Sequence, residues 1–258
     1  DGASTRIAAF DRKLQQQFVD VDVRRLRHAL VSEFDAAAKR YRLSRLGADG
    51  ASEVLYEGPK KLIDFLVDGA GQVSFIHALD DDYRHLVSRR QDGKWSEALR
   101  CKRLQACQLV SASNDGRLLT MVLNEADDRK SLVQVDLSTS RRKLLHSDPN
   151  ALADLSHVKL SPRTGEPLFA VYAAPRRHNF GLAAPAKQAA ADIAKRFPDA
   201  SVSIGASEDA PRWLLTERSA RLTQERFWLY DRKQRDFRQV FEQERALGNP
   251  VPEQNLAR

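Results

Sequence analysis

The sequence predicts an all-β fold, a β-propeller built from four-stranded blades of about 45 residues with one inserted α-helix. Three observations predict it. Short apolar strands come in pairs joined by tight polar turns. Equivalent turns recur about 45 residues apart, the length of a propeller blade. One Ala-rich stretch breaks that pattern with helical periodicity. Hydrophobic residues make up 42% of the 258, enough to bury a sizeable core, and charged residues make up 30%, far from the composition of a disordered chain.

Residues 1–58 read as a partial or irregular blade. Leu26, Leu30, Phe34, Ala37, Ala38 and Tyr41 fit a helical stripe, but the repeat register makes 28–34 a strand and 35–39 a turn. The next hairpin, 41–46 returning as 53–56 around Gly47 and Gly50, is already in phase, which favours strands. Four repeats follow. The first pairs 62–67 with 73–76 across the turn 68–71, then 83–88 with 95–100 across Gln91, Asp92 and Gly93. The second pairs 108–112 with 118–123 across Asn114, Asp115 and Gly116, a strong hairpin signal, then 131–136 with 143–145. The third pairs 158–160 with 168–172 across a turn holding Pro162 and Gly165. The fourth pairs 202–205 with 213–216, then 227–231 with 237–241.

The helix falls in the third repeat, where a regular outer hairpin is expected. It runs over 184–197, with Pro185 in its first turn and Pro198 just past its end. Ala186, Ala190, Ile193 and Phe197 recur on one side, so the helix is expected to cap the propeller flank. Blades are assigned to residues 1–245, and 246–258 to a linker.

Composition narrows the function. Lys and Arg exceed Asp and Glu by 42 to 35, but the basic clusters are scattered along the chain. A nucleic-acid binder concentrates them on one face with stacking aromatics, so no nucleic-acid partner is expected. No run of eighteen apolar residues occurs, so no membrane span is expected. The start, Asp1-Gly2-Ala3-Ser4, has neither an initiator Met nor a signal-peptide pattern, and reads as a processed product or an excised fragment, with the compartment, cytoplasmic or periplasmic, left open. Cys101 and Cys107 are too few for a disulfide framework and wrongly spaced for zinc; two separate buried thiols are expected.

Several segments resemble one family. The run D-L-S-H-V-K-L-S-P-R-T-G-E-P from Asp154 to Pro167, followed by an apolar strand ending at Tyr172 and then by the Ala-rich helix, is similar to a segment of bacterial prolyl oligopeptidase-family propellers. Trp213-Leu-Leu-Thr216, Phe227-Trp-Leu-Tyr-Asp-Arg232 and Phe241 resemble the closing blade of that family. Asp136-Leu-Ser-Thr-Ser140 resembles its "DLATG" turn, with Ser140 replacing the usual glycine. Gly248-Asn-Pro-Val-Pro252 looks like the linker into the family's α/β-hydrolase domain. The resemblance spans about residues 40 to 245 and implies a propeller that gates or positions short peptides for a Ser-Asp-His triad on a hydrolase domain lying outside this sequence.

The chain itself carries no nucleophile elbow, since no two glycines lie four apart. Gly69 and Gly71 begin a G-x-G, but position 74 is Ser, so no cofactor loop is expected. The best metal-like cluster is His77, Asp80, Asp81, Asp82 and His85; its plainer reading is a polar connection with carboxylates paired to Arg84, Arg89 and Arg90, and no metal site is assigned. Arg163, Arg176, Arg177 and His178 lie near strand ends; two readings stay open, charges facing a propeller's central cavity, where an arginine could pair with a peptide carboxylate, and, favoured for any single residue, plain surface charges. No catalytic, cofactor or metal residue is assigned. The expected role is a non-catalytic peptidase propeller; the alternative is a stand-alone TolB-like or WD-repeat-like propeller that binds a protein partner. Four and a half blades are few for a closed ring, so pairing between copies through open sheet edges is expected.

Overall fold

The computed structural model describes residues 12–22, 28–124, 128–161, 164–174, 176–205, 210–222 and 224–242, and the chain divides into two compact units, Asp1–Ala151 and Leu152–Arg258. In the first unit three antiparallel sheets follow one another, each of four strands in sequence order. The first sheet is β1 (Gln17–Val21), β2 (His28–Asp35), β3 (Arg40–Gly47) and β4 (Ser52–Gly58). The second is β5 (Lys61–Val67), β6 (Val73–Leu79), β7 (His85–Gln91) and β8 (Lys94–Arg100). The third is β9 (Cys107–Ala112), β10 (Leu118–Asn124), β11 (Lys130–Asp136) and β12 (Arg141–His146).

The second unit holds the three-stranded sheet β13 (Leu155–Leu160), β14 (Pro167–Ala173) and β15 (Arg177–Gly181), followed by helix α1 (Ala184–Arg196). The fifth sheet, β16 (Ser201–Gly205), β17 (Arg212–Arg218), β18 (Arg226–Asp231) and β19 (Asp236–Glu242), completes it. Among the described residues, hairpins such as β2–β3, β5–β6 and β18–β19 close through tight turns, and one helix stands where a fourth strand of the fourth sheet would lie.

The hairpins are held by one repeated device. Asp35, Asp68, Asp80, Asp115, Asp136 and Asp231 each accept, through Oδ1, the backbone N–H two residues on. This side-chain turn closes the bend before the return strand begins. Four of these hairpins carry a left-handed residue that is not glycine at or next to the end of the turn: Lys39, Tyr83, Ser140 and Arg235, at φ +52°, +57°, +58° and +58°. Ser140, where the family resemblance expects glycine, takes the strained conformation itself.

Each core sits between neighbouring layers. Leu30, Leu43 and Leu55 of the first sheet meet Val73 and Ile76 of the second. Phe75 and Val87 of the second sheet meet Leu109, Leu119, Met121 and Leu123 of the third. In the second unit Phe169 and Val171, the helix residues Ala186, Ala189 and Ile193, and Trp213, Leu215 and Tyr230 form one cluster. The helix lies so close to β15 that a Cβ on Gly181 would stand 2.2 Å from the backbone of Ala186 and Lys187, which explains a glycine there.

The structure differs from the sequence reading in three places. The region before residue 58 is a sheet of four strands. Its β1 is exposed at every position, so no alternation marked it. In the fourth sheet only the outermost strand gives way to the helix, and β15 pairs normally with β14. Cys101 and Cys107 are not separate thiols but a disulfide, with Cα atoms 6.1 Å apart. Cys101 is held by its N–H donating to the His85 carbonyl (3.0 Å), and the chain reverses through Leu104 at φ +65° to bring Cys107 back beside it. The segment 246–258, read as a linker, lies outside the described residues.

Candidate functional site

The residues of the metal-like cluster do not converge on a cation. Asp80 is occupied by its own turn, accepting the N–H groups of Asp82 and Arg84 at 3.0 and 2.8 Å, and pairs with Arg84 Nε at 2.8 Å. Asp82 also pairs with Arg84, whereas Arg89 donates to the Asp115 carbonyl and Arg90 to Gln72. His77 and His85 contact each other, Nε2 to Nδ1 at 2.7 Å, on adjacent strands. Among the described residues no group of three His, Cys, Asp or Glu side chains is placed to hold a metal. His77 is buried, its Nδ1 has no partner, and burial together with His85 holds its pKa down to about 4. It is a neutral core histidine at physiological pH.

Three of the four cavity-facing candidates do come together. Arg176 and the first residues of β15, Arg177, His178 and Asn179, line a cleft of about 220 Å³ whose other wall is α1, with Ala190, Ile193, Ala194 and Phe197. Arg163 lies outside the described residues. One wall is thus apolar and the other cationic and hydrogen-bonding. Arg176 donates to the Pro198 carbonyl at 2.7 Å and pairs with Asp199 at 3.1 Å. Arg177 reaches across to the fifth sheet: its backbone N–H donates to Ser201 Oγ at 3.0 Å and its guanidinium to Ser203 Oγ. Asn179 donates to the Val202 carbonyl at 2.8 Å. A second depression of about 520 Å³ adjoins through Arg176 and is lined by Asp199, Ser201, Arg218 and Arg221.

Two further basic groups belong to this region, and the sequence reading missed both. Lys159 and His157 sit two apart on β13. Burial lowers the pKa of each; the charge of Arg177 lowers both further, and Lys159 also acts on His157. The available signal was their i, i+2 spacing in a short apolar strand, which puts both on one face. Asp64, inside the apolar run of β5, was passed over as well; burial pushes its carboxyl up to about 6, against N–H donors from Phe65 and Leu109.

With the geometry in hand, comparison with known proteins identifies the fold class. No family model matches the sequence, and no curated protein matches it. Solved structures do. An uncharacterized protein, lmo1340, from Listeria monocytogenes is 8% identical over 91% of this chain and 67% of its own, with a TM-score of 0.50. A putative TolB from Agrobacterium tumefaciens is 10% identical over 89% of this chain and 81% of its own, with a TM-score of 0.51. Oligogalacturonate lyase from Vibrio parahaemolyticus is 11% identical over 88% of this chain and 65% of its own, with a TM-score of 0.52. At such identities the likeness shows the fold alone. The chain is a β-propeller of the kind seen in TolB and oligogalacturonate lyase, and it spans about two thirds of the lyase's length.

Proposed function

We propose that the chain is a non-catalytic β-propeller that binds an extended segment of a protein partner in the cleft between α1, β15 and β16. The observation that carries this reading is the cleft's two-sided chemistry. Ala190, Ile193, Ala194 and Phe197 offer an apolar wall for side chains, and Arg176 to Asn179 offer donors for backbone carbonyls and carboxylates. The absence of G-x-S-x-G from the sequence fits a binding role. Ala194 is exposed on the helix, so Ala194→Glu places a charge in the cleft without entering the core. Peptides captured from a random display library by the wild-type chain should bind this variant at least about tenfold more weakly, at unchanged melting temperature. Unchanged binding, or no peptide enriched at all, would sink the reading.

A finer reading makes this propeller part of a prolyl oligopeptidase-type peptidase, gating peptides for an α/β-hydrolase domain. What favours it is the position of α1 directly after β15, where the resembling segments expect a helix. Native protein isolated from its source cells should then migrate far above 29.1 kDa and hydrolyse peptidyl esters in a manner abolished by serine-directed inhibitors. A native species of 29.1 kDa would remove this reading and leave the first standing. The Cys101–Cys107 disulfide suits an oxidising compartment, so the same preparation, denatured, should show no free thiol; two free thiols would count against it.

A further inference from the structure

The second unit holds a group of cations that no described carboxylate neutralises. His157 stands opposite Val171, and Val171 opposite Asn179, across β13, β14 and β15; Lys159 stands opposite Phe169. Directly paired residues share a face of an antiparallel sheet. Asn179 on that face bonds to Val202 of β16, and Arg177, two residues away along β15, bonds to Ser203. The face bearing His157, Lys159, Arg177 and Asn179 therefore looks onto β16 and its hydroxyls. All four side chains are half-buried.

The contrast with other arginines of the unit is informative. Arg176 pairs with Asp199, Arg218 with Glu225 and Arg235 with Asp192. Among the described residues Lys159 has no hydrogen-bond or ion-pair partner, and the guanidinium of Arg177, with five N–H donors, uses one on Ser203. Like charges brought together and partly desolvated raise one another's cost. Donors left over around such a group are what a bound anion satisfies.

We propose that this face of β13 and β15 binds the carboxylates of an acidic peptide, with Lys159 and Arg177 as the gripping cations and His157 beside them. The proposal rests on the reading that the chain binds a peptide, and it names that peptide's chemistry. The planar guanidinium of Arg177 matches a carboxylate, and Asn179, whose NH2 group is committed to Val202, retains an amide oxygen as an acceptor. Without a bound anion, burial and then the charges of Arg177 and Lys159 keep His157 deprotonated more readily than a free imidazole; a carboxylate among them offsets the charge part.

The test uses the full chain in titration calorimetry with pentaglutamate, pentaglutamine and inorganic phosphate at equal ionic strength. Pentaglutamate should bind at least about tenfold more tightly than either alternative, and its affinity should fall as salt rises. Lys159→Met and Arg177→Met should each weaken it about tenfold or more. Lys159→Met removes a repelling cation, so its melting temperature should be no lower than that of the wild type. The imidazole of His157, followed by NMR, should titrate at higher pH when pentaglutamate is bound. Equal affinity for pentaglutamate and pentaglutamine overturns the acidic specificity while peptide binding stands. Phosphate binding more tightly than pentaglutamate overturns the peptide assignment. Unchanged pentaglutamate affinity in Lys159→Met overturns the site, and no binding of either peptide overturns this proposal while the library capture decides the broader reading.

Discussion

Replacing Arg45 with Met is expected to destabilise the protein by about 3–5 kcal/mol, the range for breaking a buried ion pair. Arg45 is 1% exposed in the first sheet, the largest charged side chain in that core. Its Nε donates to Asp22 at 2.7 Å, its Nη1 to Glu53 at 2.6 Å and its Nη2 to the Gly71 carbonyl. One guanidinium therefore compensates two carboxylates and ties β3 to the β5–β6 turn of the second sheet. Methionine fills much of the volume but satisfies none of these acceptors, and Asp22 is itself only 4% exposed. Urea unfolding at pH 7 measures the loss. In a double-mutant cycle Asp22→Asn should recover a substantial part of it, because the desolvated charge is then gone. A loss below about 1 kcal/mol would mean that the pair adds nothing to the fold.

Asp64→Asn, in contrast, should stabilise the protein at pH 7 by about 2–3 kcal/mol, at about 1.4 kcal/mol per pH unit of linkage. Asp64 titrates near 6 in the folded chain against 3.8 unfolded, because burial disfavours the carboxylate. A raised folded pKa gives stability that is present below pH 3.8 and lost as pH rises through 6. His77, its register partner on β6, does the reverse. Its folded pKa near 4 lies below 6.5, so its contribution is present above pH 6.5 and lost as pH falls through 4. The two slopes oppose each other between about pH 4 and 6, which leaves the wild type nearly flat there. The amide introduced by Asp64→Asn keeps an acceptor for the Phe65 N–H and removes the buried charge. The Asp64→Asn protein should gain about 2 kcal/mol from pH 4 to 6.5 as the His77 slope is unmasked, a figure discounted for partial solvent access. His77→Gln should lose about 3 kcal/mol from pH 4 to 6. Denaturant unfolding at four pH values reads both. Parallel pH profiles for the wild type and both variants would show that neither group titrates as its burial requires.

Much of the architecture was legible because its causes are local. The turns at Asp68, Asp136 and Asp231 are closed by bonds spanning two residues, so the residue types mark them wherever they occur. The inner strands of the second to fourth sheets are short, nearly continuous buried runs bounded by turn residues, and the stripe Ala186, Ile193 and Phe197 repeats within one helix. Arg176, Arg177 and His178 were read as strand-end residues of a central cavity, whereas the structure places them in a cleft against α1.

What the sequence determined by itself was therefore the period, the hairpins, the helix and the lack of a nucleophile elbow. What only the tertiary structure decided were contacts between residues far apart in the chain. Arg45 finds Asp22 across 23 residues and Gly71 across 26, and Arg177 finds Ser203 across 26. The Cys101–Cys107 bridge depends on a loop reversing through a left-handed leucine, which no spacing rule marks. The basic residues His157, Lys159 and Arg177 meet only because β13 and β15 flank β14 in register, with one face turned to β16. Periodicity states which face of a strand is apolar, but not which sheet that face will meet, and the choice of neighbour sets the charge and burial of every group between them.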